Sequence, residues 1–148
     1  MKPKEITTSL QLPDGRGLQL TTEHEDINIL RKDLSDAKED YRYYPSRRHF
    51  IRLHHTQAKV DDALGKTGEA AEDLLLALNP NNLDSLYPDA DADEIMKSLL
   101  DCQDAAAFLV KRLLRLGRID EALEWADKIR ILAMEYFPGT DAVPYAIG

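Results

Sequence analysis

From position 27 onward, apolar residues recur at steps of three and four. Ile27, Leu30, Leu34, Ala37, Tyr41 and Tyr44 form one stripe, the mark of an amphipathic helix buried along one side. Thr22 and Glu25 read as a capping box for it, and Pro45 stops it at or just before Tyr44. Ser46 can cap a second helix to about Leu64, with Phe50, Leu53, Gln57 or Ala58, Val60 and Leu64 as its buried face and Gly65 as its stop. After a short turn, Glu69 to Leu78 is strongly helix-forming, and Asn79-Pro80 ends it. Asp89 or Asp91 opens a long run to Leu116 carrying Ile95, Leu99, Phe108, Leu109 and Leu113, and Gly117 breaks it. A last helix begins at Ile119 and fades near Pro138-Gly139.

Positions 1–22 follow another pattern. Ile6 to Leu12 and Leu18 to Thr22 are Thr-rich and roughly alternating, separated by the turn residues Pro13-Asp14-Gly15-Arg16-Gly17. A β-hairpin and a flexible arm both fit, and a hairpin would need a surface to lie on, because an isolated one is marginal in water. The expected organisation is all-α: antiparallel helix pairs over 23–141, preceded by this arm or hairpin and followed by a tail at 142–148.

Composition narrows the classes. At 148 residues and 43% hydrophobic content the chain can build a core. A formal charge of -8 disfavours nucleic-acid binding by the whole surface. Cys102 stands alone, which excludes an internal disulfide framework and a multi-cysteine zinc site. No stretch nears the roughly 18 apolar residues of a membrane span, and Met1-Lys2-Pro3-Lys4-Glu5 runs into no signal core. A reducing compartment, cytoplasmic or nuclear, is expected.

Two segments superimpose. Ala63-Leu64-Gly65-Lys66-Thr67-Gly68-Glu69-Ala70 matches Arg115-Leu116-Gly117-Arg118-Ile119-Asp120-Glu121-Ala122, with Leu-Gly and Glu-Ala in register. Glycine allows the chain to reverse, and the small alanine lets two helix axes approach. This pattern resembles the tetratricopeptide repeat, through Ala58, Gly65, Ala70, Ala77 and Pro80 in one copy and Leu109, Gly117, Ala122 and Ile129 in the other. The tail from Ile129 to Asp141 is similar to the longer repeats of kinesin light chains and SET-and-MYND methyltransferases. His54 and Ala106 stand where the family has an aromatic residue, and the copies are 52 residues apart, against about 34 in a regular array. The resemblance implies stacked helix pairs with a concave groove for a peptide or partner helix, no catalytic residues and no cofactor. A different helical bundle remains the alternative architecture.

Charge is unevenly placed. Arg42, Arg47, Arg48, Arg52 and Lys59 fall in a stretch without acids, whereas ten acids between Glu69 and Asp104 face only Lys97. The basic, aromatic segment 42–52 could bind an acidic peptide or RNA, or could complement the acidic half of its own fold. Steps of three and four put Arg52, His55 and Lys59 on one face and Lys111 and Arg115 on another, both toward the implied groove. Arg47, Arg48, Arg52, His55, Lys59, Lys111 and Arg115 are therefore the candidate partner-binding residues. The carboxylate clamp of chaperone co-factors needs an asparagine that this chain replaces with His55 or Lys59.

Other motifs fail on chemistry. Asp89-Ala90-Asp91-Ala92-Asp93 lacks the glycine and final glutamate of a calcium loop, having Glu94 and Leu100 there. Gly65-Lys66-Thr67 follows a helix and has Val60 where a phosphate loop has glycine. His24, His49, His54 and His55 lack metal spacing, and no nucleophile elbow exists. The expected function is therefore non-catalytic binding of another protein or peptide, the latter acidic if the basic face leads. The alternatives are a helical accessory domain of an enzyme, such as a SET-and-MYND-like methyltransferase, or a small RNA-associated factor. In the accessory-domain case Val143-Pro144-Tyr145-Ala146 would start an unfinished helix.

Overall fold

The computed structural model describes residues 4–11, 14–79, 81–82 and 91–136. The expected Asp89 start, the tail at 142–148 and the Val143 helix lie outside them. The fold is all-α, with five helices among the described residues: α1 (Ile27–Tyr43), α2 (Arg47–Ala63), α3 (Thr67–Ala77), α4 (Ala92–Arg115) and α5 (Ile119–Tyr136). Two strands precede them, β1 (Lys4–Gln11) and β2 (Gly17–His24), paired antiparallel with Ile6 opposite Thr22 and Leu10 opposite Leu18. The strands run longer than the two apolar runs, and the hairpin lies against α2 and α4.

Helix ends follow local chemistry. Ser46 accepts a bond from the His49 amide, and Asp91 accepts one from the Glu94 amide. The Thr22–Glu25 capping box does not form. Thr22 is committed to the β ladder, and Asp26 instead accepts a bond from the Asn28 amide. Helix α3 starts at Thr67, two residues earlier than its apolar pattern indicates.

Helix α2 is the centre of the assembly: α1, α3 and α4 all pack on it, α3 also touches α4, and α4 carries α5. The main core joins Ile51 and Ala58 of α2, Ala70, Ala71 and Leu74 of α3, Leu99, Cys102, Ala105, Ala106, Leu109 and Leu113 of α4, and Ala122 and Trp125 of α5. Each fully buried Leu or Ile contributes about 1.5–3 kcal/mol, more than any single cap, so this seam rather than the helix ends supplies most stability. A second cluster, Leu30, Leu34 and Val60, fastens α1 to α2. Two positions assigned to buried faces are exposed instead: Tyr44 (71%) and Leu64 (46%). Each is a C-cap residue with non-helical backbone, so the helical phase no longer governs where its side chain goes.

The two superimposable segments have the same backbone bonding. Gly65 donates to the Asp62 carbonyl and Gly117 to the Leu114 carbonyl, both at 3.0 Å. Lys66 donates to Asp61 (2.8 Å) and Arg118 to Leu113 (2.9 Å). These pairs constitute a Schellman closure, and it requires left-handed backbone, found at Gly65 (φ 83°) and Gly117 (φ 77°). Ala70 and Ala122, equivalent across the repeat, are both buried where helices meet.

Candidate functional site

Helices α1, α2 and α4 border a cavity of about 310 Å³ that is open to solvent on one side. Its floor is one face of α2, carrying Arg52, His55, Thr56 and Lys59; α1 supplies Asp33, Asp36, Ala37 and Asp40, and α4 supplies Asp101 and Asp104. Steps of three and four on each helix aim these side chains to one side. The packing of Leu30, Leu34 and Val60 holds the α1 wall at its distance.

The charges differ in how they are satisfied. Arg52 and Lys59 form no ion pair within 4.0 Å with any described residue, and Asp33, Asp36, Asp40 and Asp104 likewise stay unpaired among the described residues. Asp101 is held near Arg48 Nε at 3.5 Å. Burial raises its carboxyl above the usual range, against the pull of Arg52 and Arg48. His55 stacks edge-on against Phe108 at 5.2 Å, and its Nε2 is closed off from water without a partner among the described residues. Burial, then Lys59 and Arg112, lower its pKa to about 3, so the imidazole is neutral.

The sequence-derived candidates separate. The structure brings Arg52, His55 and Lys59 onto the cavity floor. Arg48 instead crosses to α4, where Nη1 lies 3.1 Å and 3.3 Å from the two Glu94 oxygens. Arg47 is half-buried at the first turn of α2, and Lys111 is exposed on α4, outside the cavity lining. Arg115 turns to Asp62 at 3.5 Å, also away from the cavity. Much of the basic segment thus complements the acidic half of its own fold: Arg48 meets Glu94 and Asp101, and His54 Nδ1 meets Asp73 at 3.0 Å. The tyrosines divide similarly, Tyr41 packing on Phe50 while Tyr43 stays exposed.

Two groups escaped the sequence reading. The aspartates of α1 form a polar face whose periodicity is plain, but only the α1–α2 crossing turns them toward Arg52 and Lys59. Asp62 is buried at the end of α2, accepting 2.7 Å bonds from Thr67 Oγ1 and Arg112 Nε. The repeat register held a signal for it, since the equivalent position in the second copy is Leu114.

Compared with protein-family models, curated proteins and solved structures, the chain matches none. No helix among the described residues is long and apolar enough to cross a membrane.

Proposed function

We propose that this chain is a non-catalytic interaction module of tetratricopeptide-like construction, holding a peptide segment of another protein between α1, α2 and α4. One observation carries the reading: a cavity in which Arg52 and Lys59 of α2 face aspartates of α1 and α4, and of these charges only Asp101 has an ion-pair partner, Arg48, among the described residues. Lys59 and Asp101 are half-buried and the other charges exposed, and charges of both signs gathered in one concave site favour an external partner. The repeated glycine closure and the small alanines at equivalent helix contacts support the repeat construction.

Acid–base or nucleophilic chemistry finds little support at this site. His55 is neutral, and no hydroxyl or thiol is bonded to it among the described residues. Cys102 is buried in the core, its thiol pushed up to about 12 by burial and by Asp101. RNA binding through residues 42–52 is disfavoured because Arg48 is already engaged with carboxylates. A buried free thiol fits a reducing compartment, cytoplasmic or nuclear.

The test compares the wild-type chain with Thr56→Tyr, which fills the cavity from its floor, as baits in native lysate. Wild type should recover a partner that the variant loses while helical circular dichroism is unchanged. Equal recovery by both baits would sink the proposal.

A further inference from the structure

The charge pattern of the cavity says more about its occupant than the basic face of α2 does alone. Two cations, Arg52 and Lys59, stand on the floor; five aspartates stand on the walls. His55 adds no charge. An acidic segment reaching for the floor would have to pass between two rows of like charge, a juxtaposition that suppresses wrong partners. A bare divalent ion does not fit either, because no three carboxylate, histidine or cysteine groups converge on one point among the described residues.

The spacing fits a particular chain conformation. Arg52 and Lys59 are seven residues apart on α2, so the floor runs about 10 Å, the reach of about three extended residues. In an extended segment successive side chains point to opposite sides. One set would face Asp33, Asp36 and Asp40, the other Asp101 and Asp104. Side chains two apart in such a segment repeat every 6.6 Å or so, and the four-residue step from Asp36 to Asp40 advances about 6 Å along α1. Arg52 and Lys59 can only donate, which suits the backbone carbonyls of the same segment.

We infer that the cavity takes an extended protein segment with consecutive lysine or arginine residues, their side chains alternating between the two aspartate walls and their carbonyls bonded by Arg52 and Lys59. This rests on the groove reading above and reverses the partner charge that α2 alone implies. Asp33, Asp36, Asp40 and Asp104 are the specificity-determining residues, since each is exposed and has no ion-pair partner among the described residues.

The experiment uses the full chain and fluorescence anisotropy with three short labelled peptides, centred on Lys-Arg-Lys, Glu-Asp-Glu and Gly-Ser-Gly. The basic peptide should bind saturably, more weakly as salt rises, with the other two silent. Asp33→Asn, Asp36→Asn and Asp104→Asn combined should weaken it by about tenfold, the sum of three exposed ion pairs, while Glu124→Gln and Asp127→Asn outside the cavity leave it unchanged. No saturable binding up to about 1 mM overturns the inference, as does equal binding by the triple variant, which would mean attraction to the acidic surface at large. Binding of the acidic peptide, lost in Arg52→Gln with Lys59→Gln, overturns the partner charge but keeps the groove. Binding of any peptide that Thr56→Tyr leaves untouched overturns the groove itself.

Discussion

Asp62 and Arg112 are 50 residues apart in sequence and joined by a 2.7 Å bond in the fold, both almost wholly buried. The bond ties the end of α2 to α4, while Thr67 brings the start of α3 to the same carboxylate. Phe108 covers the guanidinium from 3.6 Å. A buried pair adds little net stability over an apolar replacement, but removing one member strands the other in a medium that cannot solvate it. Asp62→Ala should therefore cost about 3–5 kcal/mol in urea unfolding. Asp62→Leu with Arg112→Met should cost far less than the two single changes added together. Additive losses would show the pair to be uncoupled.

Gly65 and Gly117 offer a cleaner test of the repeat. A Cβ built at either position meets nothing within 4 Å, so a substitution there strains only the backbone. Gly65→Ala and Gly117→Ala should each cost about 1–2 kcal/mol, and Gly65→Asn less than Gly65→Ala. Matching losses follow from matching φ values. A loss at one glycine alone would show that the two closures are not equivalent in solution.

Small residues at the helix contacts make a third prediction. Ala70 and Ala122 sit in the packed core at 0% and 1% exposure. Ala70→Leu and Ala122→Leu should lower stability by about 1–3 kcal/mol through overpacking. Exposed Ala126→Leu should stay within about 0.5 kcal/mol of wild type. Thermal or urea denaturation reads all three.

What could be read in advance depended on range along the chain. Helix ends at Ser46, Asp91, Gly65 and Gly117 are decided by neighbours a few residues away, so their signals are local and legible. The Thr22 cap failed because β1, far earlier in the chain, claims that residue for a ladder. Leu64 and Tyr44 failed because a stripe counted in steps of three and four has no meaning past the last helical residue. The candidate site was half legible. Arg52, His55 and Lys59 share a face by spacing alone. That Asp33, Asp36 and Asp40 oppose them depends on how α1 crosses α2, which no local pattern encodes.

His55 supplies a prediction in pH. Its folded pKa, about 3, lies below the ordinary histidine value of 6.5, with burial the largest cause and Lys59 and Arg112 adding to it. The unfolded chain therefore takes up a proton that the folded chain refuses between those values. Stability from keeping His55 neutral is complete above pH 6.5 and is lost as pH falls toward 3, with a slope of at most about 1.4 kcal/mol per pH unit. Asp61 and Asp101 act oppositely, since burial raises both and the fold gains stability as they protonate. Both carboxylates persist in His55→Gln, so the difference between wild type and that variant isolates the imidazole. Urea midpoints at pH 7, 6 and 5 should fall more steeply for wild type than for His55→Gln. Parallel curves over that range would mean that His55 titrates freely, and that the ring is not held against Phe108 and Arg112 as the structure has it.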